Sequence, residues 1–323
     1  MLRIAYPAAI DRSFLTGFPA DVEFIAVHSK MEEMVDIDIW IPEMNPTLAK
    51  RTWPHLRGVR LVLSLMAGTE WIPATVGPRV TICNARGSHN ISTAEWTIGA
   101  ILAMIKHLPF FMQMQREASW KRRSEANAEY VRVTGDARPL YPPVMIEDLT
   151  GKTVLLVGYG SIGKDIERML APYHVNLMRF ARTARENPTV HPVSELESYL
   201  PKADVVVLIL PLTAESHHLI GEPQLARMPQ GCLLVNAARG PIVDTDALVA
   251  ALDAGKIRAA IDVTDPEPLP DGHPLWSCPN VLITPHVGGS SPNFTPRALA
   301  IAAAQVHRYI AGEPLENVVQ AAV

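Results

Sequence analysis

Cysteine is scarce in this chain: Cys83, Cys232 and Cys278 are the only three in 323 residues. An odd count without C-x-x-C spacing argues against a disulfide framework and against a zinc site. Cys232 heads an apolar run and reads as a small core residue. A surplus of positive charge is also missing. Lys and Arg number 29 against 33 Asp and Glu, for a net charge of −4. No general attraction to nucleic acid or to an anionic membrane follows. No apolar run approaches the ~20 residues needed to span a bilayer. The chain goes straight into Arg3-Ile4-Ala5-Tyr6, without a charged start and an apolar signal core. A cytoplasmic, reducing location is the default expectation. One further absence is local. From Met169 to Arg185 there is no Asp or Glu, but there are Arg179, Arg182 and Arg185.

What is present is ordinary for a soluble globular protein of about two domains. The 28 prolines exceed the average, and beside so much apolar material they read as loop punctuation. The first part alternates short apolar runs with turns, with strands expected at Arg3–Tyr6, Glu23–Val27, Ile37–Ile41, Val59–Leu65 and Val80–Asn84. A buried helix is expected from Ser92, where Ser92-Thr93-Ala94-Glu95 fits a capping box. The stretch 119–150 is rich in Arg, Glu and Pro without a clear period, and is expected to be an extended arm or loop. From Lys152 onward apolar strands alternate with helical stretches, which predicts a parallel sheet covered on both faces. The expected strands are Thr153–Val157, Val175–Phe180, Asp204–Leu210, Cys232–Asn236, Ala259–Val263 and Val281–Thr284. A final helix, about 293–311, is free to pack on either domain.

The strand Val154-Leu155-Leu156-Val157 runs into Gly158-Tyr159-Gly160-Ser161-Ile162-Gly163. This matches the G-x-G-x-x-G turn of a dinucleotide-binding unit. The first glycine makes the tight turn, the second admits a pyrophosphate, and the third lets helix and strand approach. The helix N-terminus then faces the phosphates. Alone the motif is weak; here a strand precedes it, a helix follows, and a second strand follows that.

Three polar residues lie just beyond strand ends: Arg239, Glu267 and His286. In a parallel sheet all these ends share one edge, where ligands bind. Histidine suits proton transfer near neutral pH. A carboxylate beside it would hold the ring and favour its charged form. Arginine can grip a substrate carboxylate with two parallel bonds.

With these residues in place, the sequence resembles the D-2-hydroxyacid dehydrogenases, the group with phosphoglycerate, glyoxylate/hydroxypyruvate and formate dehydrogenases. The resemblance covers nearly the whole chain. It rests on the glycine turn, on Val235-Asn236-Ala237-Ala238-Arg239-Gly240, on Ile261-Asp262-Val263-Thr264-Asp265-Pro266-Glu267-Pro268-Leu269-Pro270, and on Thr284-Pro285-His286-Val287-Gly288-Gly289. The resemblance implies an α/β protein with a Rossmann-type cofactor domain at 93–290. It also implies a flavodoxin-like substrate domain from 1–92 plus 291–323, with the active site between them. His286 would be the acid/base paired with Glu267. Arg239 would bind the 2-keto acid. Asp262 would lie near the nicotinamide carboxamide, and Pro211, Ala237 and Gly288 would join the cofactor contacts. Ala67 and Gly68 match a loop whose backbone N–H groups hold the substrate carboxylate, a role suited to an anion-binding nest. A homodimer is implied, and no metal. His89 stands where the family often has Asn, and would face substrate or cap the next helix. Formate dehydrogenases pair the histidine with Gln, so Glu267 disfavours oxidation of a one-carbon anion. A nucleotide-sensing co-repressor on the same fold stays open, because such proteins keep the triad.

The family's ribose-binding acid closes the second strand of the cofactor domain, and Ala181 occupies that place here. An acid would repel a 2′-phosphate, and alanine does not. Arg182, Thr183 and Arg185 follow, so NADP(H) is expected to be preferred, with NAD(H) a lesser cofactor. Arg179, earlier in the strand, is read as solvating a strand end. The expected activity is hydride transfer between NADP(H) and glyoxylate, hydroxypyruvate or a related 2-keto acid.

Overall fold

The computed structural model describes residues 1–322. Two compact units divide the chain, one of Met1–Asn90 with Ser290 onward, the other of Ile91–Gly289.

The first unit holds strands β1 (Leu2–Pro7), β2 (Val22–Val27), β3 (Val35–Asp36), β4 (Ile39–Trp40), β5 (Leu56–Arg57), β6 (Leu61–Leu63) and β7 (Thr81–Cys83). Its sheet runs β7-β6-β4-β1-β2 in parallel, with Val318–Gln320 antiparallel on the β7 edge; β3 and β5 pair apart. The strand expected at Ile37–Ile41 is found only as β4, Ile39–Trp40, with β3 a separate strand before it. Asp38 divides them, because its carboxylate turns to accept from Arg3 N at 2.9 Å and Arg60 Nη2 at 2.6 Å. The helix Phe294–Ala311 places Phe294, Ala298, Leu299, Ala302 and Val306 on one face. That face packs against Ile4, Ile39, Leu61 and Leu63, so the last helix completes this unit's core.

The second unit is a seven-stranded sheet of β8 (Thr153–Val157), β9 (Asn176–Ala181), β10 (His191–Pro192), β11 (Val205–Leu208), β12 (Cys232–Asn236), β13 (Ile257–Ile261) and β14 (Val281–Ile283). The order is β10-β9-β8-β11-β12-β13-β14, and every pair is parallel. Side chains alternate between two cores. Leu155, Val157, Val206, Leu208 and Leu234 face one way. Val154, Leu156, Val205, Val207 and Val235 face the other. A strand buried on both faces must be apolar throughout, which explains the continuous runs in the sequence. Each such side chain contributes about 1.5–3 kcal/mol through burial.

Two expectations need correction. The long helix begins at Asn90, not Ser92, and ends at Ile105. Ser88 N bonds Ala85 O at 3.0 Å and Asn90 N bonds Gly87 O at 3.3 Å, so a tight turn winds directly into the helix. Ser92 is consequently a buried helical residue and not its cap. The stretch 119–150 is not wholly an arm. Trp120–Glu125 forms a 3-10 turn and Ala126–Thr134 an α-helix, with residues 135–150 largely irregular. Ala126, Tyr130 and Val133 supply a buried face at helical spacing. Gly135 stops the helix in the left-handed region at φ +72°.

Among the described residues no single helix is long and apolar enough to cross a membrane. Asn90–Ile105 and Leu108–Arg116 together have the composition, bent by 70°, but Ala94, Ala100, Ile101, Met104 and Ile105 are packed in the core.

Candidate active site

Because the second sheet is parallel, all its strands end on one edge, and the loops leaving that edge carry most of the expected site residues. Gly158–Gly163 follows β8, Arg182–Arg185 follows β9, and Pro211 lies beyond β11. Ala237–Arg239 follows β12, Asp262–Glu267 follows β13, and Thr284–Gly288 follows β14.

The glycine turn is shaped by close contact. Gly158 stands at φ +113°, and a Cβ there would run into the Ile209 carbonyl. A Cβ on Gly163 would meet Gly158 O at 2.6 Å, while the corresponding space over Gly160 is open. The amides of Gly158 and Tyr159 both donate to Phe180 O at 2.9 Å, which ties the turn to β9. The helix Ser161–Leu170 starts here with Gly160 at its N-cap and no side-chain cap bond. The clearance over Gly160 and this helix N-terminus fit a dinucleotide pyrophosphate. Ser161 and Ile162 form the first turn.

At the end of β9, Ala181 is half-buried, and Arg182, Thr183 and Arg185 beyond it are exposed. Arg185 turns back to the glycine turn, donating from Nη2 to Tyr159 O at 3.0 Å. Arg179 does more than solvate a strand end. It pairs with Glu167 on the preceding helix, Ser161–Leu170, and lies 5.7 Å from the Tyr159 ring centroid. That bond, with one from the Tyr159 hydroxyl, holds the Glu167 carboxyl below its ordinary range despite partial burial. The Glu215 carboxyl is lowered first by the Thr213 hydroxyl, then by its own amide, and also by the charge of Arg182.

His286 and Glu267 are brought together: Nδ1 of the imidazole lies 2.7 Å from Glu267 Oε1, with both side chains about half exposed. His286 occupies the left-handed region at φ +54°, rare for a residue with a Cβ. Asp262 enforces this. It is buried, and it accepts from Thr284 Oγ1 at 2.5 Å, Val287 N at 2.9 Å and Gly288 N at 2.7 Å. His286 N also donates to Asp262 O at 2.7 Å. The visible work of Asp262 and Gly288 is thus to fold the histidine loop. Asp262, Glu267 and His286 line one cavity of about 410 Å³ together with Thr264, Leu269 and Trp276.

Arg239 is half-buried one strand away, its Nη1 donating to Ala238 O at 2.7 Å. Buried Asn236 braces that loop, accepting from Ala238 N and donating to Arg239 O, both at 3.0 Å. The β12 and β13 loops touch at Gly240, where any Cβ would collide with the Thr264 carbonyl. Asn236, Thr284, Tyr159 and Glu167 carry these arrangements, and sequence reasoning did not single them out. An amide side chain closing an apolar strand was the only available signal, at Asn236.

Ala67 and Gly68 lie in the first unit, after β6, where Asn84 Nδ2 donates to Ala67 O at 2.8 Å. His89 stacks on Phe294 with ring centroids 4.4 Å apart and planes at 18°. A larger cavity of about 580 Å³ lies at the opposite, strand-start edge of the second sheet, bordered by His107, Arg132, Arg258 and Val281. It contains none of the expected catalytic groups. Among the described residues no group of three or more His, Cys, Asp or Glu is placed to hold a metal.

A sequence profile described as "D-isomer specific 2-hydroxyacid dehydrogenase, NAD binding domain" matches residues 98–288. The chain is 33% identical over 248 residues to a glyoxylate reductase of Thermofilum pendens, covering 75% of this chain and 68% of that one. It is 28% identical over 296 residues to a D-3-phosphoglycerate dehydrogenase of Methanocaldococcus jannaschii, covering 90% of this chain but only 53% of that longer protein. Among solved structures, a D-isomer specific 2-hydroxyacid dehydrogenase from Xanthobacter autotrophicus Py2, in complex with NADPH and MES, superimposes with a TM-score of 0.77. It is 27% identical, and the match covers 99% of this chain and 98% of that one.

Proposed function

The chain belongs to the D-isomer specific 2-hydroxyacid dehydrogenase family, and from that premise we propose that it reduces a small 2-keto acid to the D-2-hydroxy acid with NADPH. The observation that carries this reading is the His286–Glu267 pair at 2.7 Å, on the sheet edge that also bears the glycine turn. When bound, the nicotinamide supplies the hydride that adds to C2 of the keto acid. Arg239 orients the substrate through its carboxylate and carbonyl. His286, with Nδ1–H held by Glu267, gives the Nε2 proton to the carbonyl oxygen as it becomes a hydroxyl. Glu267 keeps the ring aimed and stabilises its charged form. The backbone at Ala67 and Gly68 is assigned to the substrate carboxylate.

NADPH is preferred in this reading because Ala181 removes the acid that would repel a 2′-phosphate and Arg182, Thr183 and Arg185 follow it. Each arginine bond to phosphate is worth about 1.5–3 kcal/mol, less where solvent screens an exposed site. The X. autotrophicus structure, determined with NADPH, supports the same cofactor. The assembly we propose is a homodimer, supported by exposed Met112, Trp120 and Tyr141 within one stretch of chain. The proposed compartment is the cytoplasm, in keeping with three unpaired buried cysteines.

The deciding assay follows NADPH and NADH oxidation with glyoxylate, hydroxypyruvate and phenylpyruvate. Turnover with at least one acid is expected, with kcat/KM for NADPH at least about tenfold above NADH. No consumption with any acid sinks the reductase reading, and comparable values for the two cofactors sink the preference.

A further inference from the structure

Tyr159 sits at the second position of the glycine turn and is buried. A tyrosine there would be plain core filling, were it not for what surrounds its ring. The guanidinium of Arg185 lies 5.5 Å from the ring centroid and that of Arg179 lies 5.7 Å from it. The two arginines differ in what else they hold. Arg179 is matched by Glu167, whose other carboxylate oxygen accepts from the Tyr159 hydroxyl. Arg179 therefore spends its charge locally, and the same carboxylate fixes the tyrosine ring. Among the described residues no carboxylate makes an ion pair with Arg185. It gives one N–H to Tyr159 O at 3.0 Å. Its backbone is held by two reciprocal bonds with Val190, at 3.0 and 2.8 Å. A long, exposed side chain is thus anchored by backbone, carbonyl and ring, with most of its N–H groups and its charge still available.

We infer that Tyr159 is a specificity-positioning residue: its ring and carbonyl hold Arg185 against the phosphate turn, ready for the 2′-phosphate of NADP(H). This rests on the NADP(H) reading above and adds how selectivity is built. Ordering an arginine before the ligand arrives removes part of the entropic cost of binding. The arrangement divides the three arginines into one that locks the ring, Arg179, one that the ring holds, Arg185, and one exposed on the bend, Arg182. Glu167 acts at one further remove, through Tyr159.

The test uses the full-length chain and two probes without nicotinamide, adenosine 2′,5′-bisphosphate and 5′-AMP, with binding measured by titration calorimetry. Tyr159→Leu is expected to weaken the bisphosphate about two- to fivefold, as loss of a cation–π contact does, and to leave 5′-AMP unchanged. Tyr159→Phe, which keeps ring and carbonyl but loses the bond to Glu167, is expected to bind 5′-AMP like the parent and the bisphosphate more tightly than Tyr159→Leu does. Arg185→Ala should cost the bisphosphate about tenfold or more, and adding Tyr159→Leu to it should cost nothing further. Arg185→Lys leaves the core untouched and should still lose affinity for the bisphosphate, because ammonium cannot reproduce the flat stacked fork. Equal weakening of both probes by Tyr159→Leu, or an undiminished effect in the Arg185→Ala background, would overturn the inference. Loss of selectivity in Arg182→Ala with none in Arg185→Ala would overturn it too, while leaving the cofactor reading standing. Equal affinity of the parent for the two probes would remove both.

Discussion

His286 shows what a single residue requires to act as an acid/base here. Its φ of +54° is a conformation a residue with a side chain adopts at a cost of order 1–3 kcal/mol. Asp262 holds it there through three donors from the Thr284–Gly288 loop. Glu267 then aligns the ring. Replacing His286 by Ala is expected to lower kcat by about 10²-fold or more, with binding of the cofactor alone retained by calorimetry; unchanged turnover removes it from the acid/base role. Asp262→Ala leaves two backbone amides and a hydroxyl without an acceptor, at about 1–3 kcal/mol for each buried group. Its thermal midpoint should fall, and kcat should fall with it, because the histidine loop loses its anchor. A variant that keeps the parent kcat would show that His286 holds its place without this carboxylate. His286 and Glu267 were legible in the sequence because titratable residues at strand ends of a parallel sheet converge on one edge. The part played by Asp262 was not, since it depends on which way the following loop turns.

At the scale of elements, the irregular chain 135–150 is fastened to the second sheet by a buried charge cluster. Glu147 receives Arg258 Nη1 at 2.6 Å and Lys152 Nζ at 2.8 Å, with His107 Nε2 at 3.4 Å. Burial pushes its carboxyl up, but the His107 contact and the charges of Arg258 and Lys152 outweigh this and bring it down to about 2. A carboxyl lowered by folding adds stability that is complete above its ordinary value of 4.5 and is lost as pH falls toward about 2. The parent should therefore lose unfolding free energy between pH 4.5 and 2. Glu147→Gln should lack that part of the decline and be weaker at neutral pH, where buried Arg258 is left without its partner. Urea unfolding across this range checks both, and parallel pH slopes for the two proteins would contradict the assignment. The short helix Ala126–Thr134 next to this cluster illustrates a limit of reading elements from sequence. Its three buried positions are at helical spacing, but six of the surrounding residues from Trp120 to Arg132 are charged and mask the period. By contrast, β8, β11 and β12 were plain, because burial on both faces leaves an unbroken apolar run. The capping motif at Ser92 misled for the opposite reason. A local signal was present, and the preceding turn had already started the helix.

At the scale of the molecule, each unit has its own pair of cores. Residues of the second sheet fill two of these clusters, and the first sheet contributes to the other two, in one of them with the helix Phe294–Ala311. All the groups assigned to the dinucleotide belong to Ile91–Gly289. A ligand stabilises whatever must stay folded to bind it, by about 2.7 kcal/mol at a concentration of 100 Kd. NADP⁺ alone, without a keto acid, should therefore slow hydrogen exchange in β8, β9, β11 and β12 and leave β1, β2, β4 and β6 near their free rates. The effect should be greatest where Gly158 and Tyr159 donate to Phe180 O, since the glycine turn and β9 open together. In the Arg185→Ala protein, protection by NADP⁺ should fall toward that given by NAD⁺, because the bond that tells the two apart is gone. Equal protection of both sheets by NADP⁺ would mean that the cofactor is held by residues of the first unit as well. The assignment of its site to the loops after β8, β9, β11, β12, β13 and β14 would then be incomplete.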